Sequence, residues 1–249
     1  MEQEVFITPN LFIRENNIYY FNDKTKKEIK VTLKNWHKYL SDYGWEKMEL
    51  GWKRRLKSGI NSPYGVLDCG SHGDCLFLSI AEAYKNIYNP LEEIFTVESL
   101  RELVADQVTN KNYNSILLNY KLEQECGEFD GLWDPNEINS IEDLQNEIKK
   151  SGESFWGDHI LIQLLEQALN INIILFNSEN MYYERNYRLQ PTGNSFSKDR
   201  RTIFLSYTCN NHFELVGKFY DWKMKTIFGY EDIPPEIKTI YKEDCNIEI

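Results

Sequence analysis

The run Gly73-Asp74-Cys75-Leu76-Phe77 contains the side chain best suited to do chemistry in this chain, the thiol of Cys75. The apolar residues after it recur at helical spacing, so residues 76–84 predict an amphipathic helix with Cys75 at or near its N-terminus. There, the unpaired backbone N–H groups and the positive end of the helix dipole favour the thiolate, and the same groups can hold an oxyanion. The sequence thus predicts a nucleophile, against the alternative of a small buried hydrophobe.

A nucleophilic thiol needs a base, and the candidate is His212. Strand-forming runs at 202–207 and 213–219 bracket a predicted turn at 208–211, so His212 begins the second strand. Alternate side chains of a strand share a face, so Glu214 lies on the face of His212 and can hold the useful tautomer of the imidazole. The other histidines that come into question, His37 and His159, are predicted to be structural or surface residues.

The composition limits the class of protein. With 249 residues, 41% of them hydrophobic, the chain can form one large domain or one domain with an appendage. It has no apolar run of the ~18 residues that a membrane span needs, and no signal-peptide pattern at its start. The five cysteines are widely spaced without a CxxC pair, which disfavours a disulfide framework or a zinc site and favours a reducing, intracellular compartment.

The net charge of −11 disfavours nucleic acid as a partner, because phosphate binding requires a basic surface. Two interpretations of this charge stay open. It can serve solubility alone, or it can attract a basic partner or a basic peptide tail.

Three segments follow from the patterns along the chain. Residues 1–60 predict an N-terminal extension with a β-hairpin, a third strand and a helix, and this extension either packs on the main domain or takes part in substrate recognition. Residues 61–220 predict the main domain, in which helices after Thr96, Ser140 and Gly157 interleave with strands. Residues 221–249 are polar and acidic, and we expect this tail to be partly loose.

The motifs around Cys75 and His212, with Trp156-Gly157 opening a helix between them, resemble the ovarian-tumour (OTU) family of cysteine proteases. The resemblance covers roughly residues 66–219. It implies an α/β (α+β), papain-like fold, with a small central β-sheet flanked by helices. It also implies a protease that removes ubiquitin or a ubiquitin-like modifier from conjugates, without a metal or cofactor.

Matched to the family motif, Cys75 is the nucleophile, His212 the base and Glu214 the third member of the triad. His72, Gly73 and Asp74 form the turn that shapes the oxyanion site. Two positions depart from the family pattern. His72 stands where the family usually has an aspartate, which puts in question how the turn is held, and Glu214 replaces the usual Asp or Asn.

Three functional hypotheses follow. The first is an active deubiquitinase that acts on ubiquitin or polyubiquitin, whose C-terminal tail carries arginines. The second is a catalytically weakened ubiquitin-binding adaptor that keeps the fold. The third is a protease or transferase acting on another modifier. Because the chain is rich in Asn, Lys, Ile and Tyr, as AT-rich genomes encode, we expect an effector of a large DNA virus or intracellular bacterium. Such an effector would act in host cytoplasm, with neither membrane nor nucleic acid as partner.

Overall fold

The computed structural model describes residues 4–85, 94–181, 184–208, 212–220 and 223–249. The strands form two sheets. Those of the first sheet are β1 (Val5–Thr8), β2 (Leu11–Arg14), β3 (Asn17–Asn22) and β4 (Lys27–Lys30). Those of the second are β5 (Trp45–Lys47), β6 (Tyr64–Leu67), β7 (Ile171–Met181), β8 (Glu184–Gln190), β9 (Arg201–Thr208), β10 (His212–Tyr220), β11 (Lys223–Lys225) and β12 (Ile227–Phe228). The helices are α1 (Trp36–Tyr39), α2 (Leu50–Arg55), α3 (Cys75–Tyr84), α4 (Val97–Ala105), α5 (Tyr113–Cys126), α6 (Ile141–Lys149), α7 (His159–Leu169) and α8 (Pro235–Cys245).

The first sheet is an antiparallel meander in the order β1-β2-β3-β4. Its central hairpin, predicted from the sequence, is confirmed, with Arg14 paired to Asn17. The two residues between them, Glu15 and Asn16, have φ angles of 49° and 55°. This left-handed pair matches the twist of the flanking strands, as two-residue hairpin turns require.

The second sheet runs β5-β6-β10-β9-β7-β8, with β11 paired to β10 and β12 to β9. Strands β7 and β9 are parallel, and the other pairs are antiparallel. Strand β10 lies between β6 and β9, so the sheet brings the end of β6 beside the start of β10. The apolar run at residues 171–176 predicts a buried strand, which the structure confirms and extends to Met181. The neighbouring strand β8 was not predicted.

Alternation along the central strands divides the core between the two faces of the second sheet. On β9, Ile203 and Leu205 join the cluster that contains α3 to α7, whereas Phe204 between them joins a second cluster with α2 and α8. Helices therefore cover both faces of the sheet, and its central strands are mostly buried between them. The predicted α/β class with a helix-flanked sheet is confirmed, although the sheet has eight strands and is not small.

Residues 1–60 contribute both a strand and buried side chains to the main domain. Strand β5 pairs with β6, so a part of this segment completes the second sheet. Trp36 is fully buried, stacks on Phe219 with ring centroids 6.2 Å apart, and donates a hydrogen bond to the carbonyl of Ser62. Trp52 packs on Phe176. The segment therefore packs into the core of the domain it was predicted to precede.

The C-terminal segment, expected to be partly loose, forms a helix and packs on the domain within residues 223–249, the part of it that the structure describes. Helix α8 buries Ile237, Ile240 and Tyr241, and the last residue, Ile249, is only 6% exposed. Pro235 is the first residue of α8, where proline is favoured because its missing N–H costs nothing in the first turn of a helix. Across the described residues, the helices are all too short or too polar to cross a bilayer.

Candidate active site

Cys75 is the first residue of α3, as the sequence predicts. Its side chain is buried, with the residue 2% exposed, and its Sγ accepts a hydrogen bond from the backbone N–H of Phe213 at 3.5 Å. Burial raises the pKa of the Cys75 thiol, and the N–H groups of Phe213 and Leu76 oppose that rise. The resting group is thus a thiol that needs a base to become a nucleophile.

Helix α3 and strand β10 are joined at Phe213. Besides its N–H bond to Cys75, Phe213 accepts a hydrogen bond through its carbonyl from Ser79, one turn further along α3. Because His212 directly precedes Phe213, these contacts fix the backbone of the predicted base beside the helix that carries the thiol. His212 pairs with Thr208 on β9, and residues 209–211 of the predicted turn lie outside the described ranges.

The imidazole of His212 is held by a carboxylate that the sequence analysis did not assign to it. Nε2 of His212 lies 3.1 Å from Oδ1 of Asp68, the first residue after β6. The side chain of His212 is 23% exposed and that of Asp68 is 64% exposed. Among the described residues, Nδ1 has no partner, so it is the ring nitrogen left to accept a proton.

Glu214 lies on the same strand face as His212, opposite Ser206 of β9. Burial raises the pKa of Glu214, the negative charge of Asp68 adds to the rise, and His212 opposes it. Glu214 is therefore within electrostatic range of the ring, while the hydrogen bond to His212 in the structure comes from Asp68. The orienting role of Glu214 stays a prediction.

The turn before Cys75 depends on backbone that glycine adopts easily. His72 and Gly73 have φ angles of 65° and 89°, both in the left-handed region. A Cβ on Gly73 would lie 2.1 Å from the carbonyl oxygen of Gly152, so no larger residue fits there without a shift of the turn. The side chain of His72 is 84% exposed and lies 3.6 Å from Glu153, so it points away from the turn.

Asp74 and Arg101 hold this turn instead of His72. Arg101 of α4 is fully buried and binds Oδ1 of Asp74 through Nε at 2.9 Å and Nη2 at 2.6 Å. The other oxygen of Asp74 accepts the N–H of Gly152 at 2.8 Å. Arg101 also donates to the carbonyls of Ile148 and Phe155, at 3.0 and 2.9 Å. One guanidinium thus connects the turn to the end of α6 and to the segment that follows α6.

Sequence reasoning missed Arg101, although a signal existed. Leu100, Val104 and Ala105 of α4 are fully buried, and Arg101 falls on the same apolar face. A cation on a buried helix face requires a charge partner, because an unpaired buried charge is costly. The guanidinium also lies 4.3 Å from the centroid of the Phe77 ring in α3. A search for such cations would have identified the position, although not its partner.

A cavity of about 400 Å³ opens beside Phe213. Its walls include aromatic residues, among them Phe129, Trp133, Trp156 and Tyr207. Acidic residues also line it: Glu123, Glu128, Asp130 and Asp158. Gly157, in the predicted Trp156-Gly157 motif, sits so close to α3 that a Cβ would lie 2.7 Å from Leu76. The wall of the cavity at Gly157 therefore packs against α3, and the acidic and aromatic lining suits a chain that is basic and partly apolar.

The site thus brings a buried thiol at a helix start to the strand that begins with a histidine, and thiol and imidazole are the two groups that a cysteine protease needs. Residues 70–213, more than half of the chain, match the family model described as "OTU-like cysteine protease". The chain belongs to this family of cysteine proteases. The matched range includes Cys75 and His212 and ends before Glu214.

Solved structures with similar folds include OTU domains from a bacterium and from viruses. An OTU deubiquitinase from Wolbachia pipientis wMel, bound to ubiquitin, is 15% identical with a TM-score of 0.43, covering 63% of this chain and 97% of that one. The OTU protease of Dera Ghazi Khan virus is 16% identical with a TM-score of 0.40, covering 63% and 82%. The Hazara virus OTU, bound to ubiquitin, is 13% identical with a TM-score of 0.36, covering 63% and 82%. No curated protein matches the chain significantly.

Proposed function

We propose that this protein is a deubiquitinase, which hydrolyses the isopeptide or peptide bond after the C-terminal glycine of ubiquitin. The observation that carries the proposal is the hydrogen bond from Phe213 to the Cys75 thiol, which ties the nucleophile helix to the strand of His212. Membership of the OTU-like cysteine protease family supports the same chemistry. Polyubiquitin is the corresponding partner, and a ubiquitin-like modifier is the variant of the same substrate class.

In this mechanism, His212 takes the proton of Cys75 and forms a thiolate–imidazolium pair. The thiolate attacks the carbonyl carbon of the terminal glycine, and backbone N–H groups at Asp74 and Cys75 hold the oxyanion. The imidazolium then protonates the leaving lysine amine, and a thioester to Cys75 remains. Water, deprotonated by His212, attacks the thioester, which releases the glycine carboxylate and returns the thiol. Glu214 adds a carboxylate near the ring, whose charge favours the imidazolium.

The substrate tail approaches through the acidic, aromatic cavity beside Phe213. The C-terminal tail of ubiquitin carries arginines, whose guanidinium groups pair with carboxylates and stack on aromatic rings. The net charge of −11 would also favour the approach of such a tail over long range. Action inside a cell, including the cytoplasm of an infected host, follows from this substrate and stays a prediction.

The adaptor hypothesis depends on His72 in place of the family's usual aspartate. Its side chain projects outward, and Asp74, Arg101 and Gly152 supply the contacts that hold the turn. The departure at His72 therefore gives no reason to expect a damaged oxyanion site, which favours the enzyme over the adaptor.

The test uses a ubiquitin with a thiol-reactive electrophile at its C-terminus. We expect the wild-type protein to form one adduct at Cys75, and Cys75→Ala to form none and to lose cleavage of ubiquitin conjugates by several powers of ten. Two control variants are Cys69→Ala and Cys126→Ser. Burial raises the pKa of Cys69 to about 12, and Cys126 is exposed outside the site. Both controls should keep labelling, and tight binding without labelling of the wild type would favour the adaptor.

A further inference from the structure

Asp68 owes its position beside His212 to the register of the second sheet. Leu67, the last residue of β6, pairs with Leu215 of β10. One step further along the antiparallel pair, Asp68 comes opposite Glu214 and reaches the ring of His212, with Nε2 and Oδ1 3.1 Å apart. Neither carboxylate lies in the range that the family model matches, residues 70–213. The choice between them must therefore come from the geometry of this chain.

We propose that Asp68 is the positioning residue of the active site, holding Nε2–H of His212 so that Nδ1 faces the proton of Cys75. This inference rests on the proposed function. Which ring nitrogen of a histidine carries the proton is set by the hydrogen bond that the other nitrogen makes. A carboxylate on Nε2 selects the tautomer whose Nδ1 can act as a base, and it stabilises the imidazolium that forms when the proton arrives.

Asp68 is prepared for this role before substrate binds. Its Oδ1 also accepts the N–H of Gly70 at 2.9 Å, which fixes the side chain in a local turn. The same oxygen therefore bridges the turn and the imidazole. A side chain restrained in this way loses little further conformational freedom when it holds the ring, so the hydrogen bond is preorganised.

Glu214 is less suited to orient the ring. Among the described residues, the hydrogen bond of the His212 ring goes to Asp68 and not to Glu214, and burial raises the pKa of the Glu214 carboxyl group. The carboxylate of Asp68, by contrast, is mostly in contact with solvent. The groups facing His212 are thus Asp68 from the end of β6 and Glu214 from its own strand. Cys75 begins the helix packed on that strand, and Glu49 is within electrostatic range of Glu214.

The experiment compares Asp68→Asn with Asp68→Ala. Asparagine keeps the acceptor oxygen for both Gly70 and His212 but removes the charge, whereas alanine removes both. With a fluorogenic ubiquitin substrate, we expect Asp68→Ala to lower kcat about 100-fold and Asp68→Asn about tenfold or less, with KM within about twofold. Partial rescue by asparagine separates positioning from a general loss of structure. Asp106→Asn, which removes an exposed charge at the end of α4, is the matched control and should equal wild type.

A second readout needs no ubiquitin. Alkylation of Cys75 by iodoacetamide, mapped by peptide mass, reports the thiolate–imidazolium pair as a function of pH. In both Asp68 variants, the imidazolium loses its counter-charge, so less of the pair forms near neutral pH, and the rise of the Cys75 alkylation rate should move to higher pH. An unchanged profile together with unchanged kcat in Asp68→Ala would overturn the inference. If instead the wild type failed to react with the ubiquitin electrophile, the proposed function would fail, while the alkylation profiles would still decide the role of Asp68.

Discussion

The two sides of the active site are built on different principles. On the nucleophile side, Asp74 pairs with Arg101, which is fully buried and also bonds the carbonyls of Ile148 and Phe155. On the base side, Asp68 pairs with His212, and the Asp68 side chain is 64% exposed. Both sides use one carboxylate to hold one functional group. They differ in what surrounds the pair.

This difference indicates which part of the site must be rigid. An oxyanion site stabilises charge only if its N–H groups are in place before the reaction, so a buried, multiply bonded turn suits it. The base must exchange protons with thiol, leaving amine and water, so a ring held at one nitrogen near solvent suits it. A change on the nucleophile side should therefore cost folding free energy, and a change on the base side should cost turnover.

The largest effect on folding is expected for Arg101→Ala. Removing the guanidinium takes the charge partner from Asp74, which keeps only the N–H of Gly152, and a donor from the carbonyls of Ile148 and Phe155. Such a loss typically costs about 3–5 kcal/mol in the free energy of unfolding. Urea denaturation followed by tryptophan fluorescence measures it. Arg101→Lys is the matched variant, and it should lose less because it keeps the charge without the planar fork.

The contrasting variant is Asp68→Ala, whose free energy of unfolding should stay within about 0.5 kcal/mol of wild type, as is usual for exposed positions. If Arg101→Ala unfolded at the same urea concentration as wild type, or if Asp68→Ala unfolded much earlier, the contrast between the two sides would be wrong.

An intermediate effect is expected at Glu214. Glu214→Ala should lower kcat by about tenfold or less and leave KM nearly unchanged, because a nearby charge acts mainly on the imidazolium formed during reaction. Glu214→Gln should retain part of the lost activity through its acceptor oxygen. A larger loss of kcat in Glu214→Ala than in Asp68→Ala would mean that Glu214, and not Asp68, orients the ring of His212.

The pH dependence of stability gives Glu214 a second readout. Burial raises the pKa of Glu214 in the folded state above its unfolded value, so its contribution to stability is fully present below the unfolded pKa. That contribution is lost as the pH rises through the folded pKa. Glu214→Gln should therefore gain stability relative to wild type between pH 4 and pH 8, as measured by urea denaturation. Equal differences at both pH values would contradict a raised pKa.

The smallest effect concerns the long-range charge of the whole molecule. Between about 0.05 M and about 0.5 M salt, the screening length falls from ~14 Å to ~4 Å, so kcat/KM for ubiquitin substrates should fall several-fold. The alkylation rate of Cys75 by uncharged iodoacetamide is the control and should change little. A flat kcat/KM profile would mean that the net charge of −11 serves solubility alone.

Local sequence signals predicted much of the fold, including the elements that carry Cys75 and His212. The capping residues Thr96 and Ser140 predicted the starts of α4 and α6, because the oxygen of a capping side chain accepts from the backbone N–H three residues further on. The helical spacing of the apolar residues after Cys75 predicted the start of α3. Helix α8 was missed because the polar, acidic composition of residues 221–249 predicted a loose tail, although Ile237, Ile240 and Tyr241 recur at helical spacing.

The order of residues along the chain predicts which reactive groups are available: a thiol at a helix start, a histidine at a strand start, and glycine where the turn needs a left-handed φ. Which carboxylate lies beside each group depends on how the chain folds. Asp74 reaches Arg101 27 residues away, and Asp68 reaches His212 144 residues away. Such partners depend on the register of β6 with β10 and on the packing of α4 against α3. Periodicity and capping describe neighbours within a few residues, so they carry no information about contacts that only the assembled sheet and helices create.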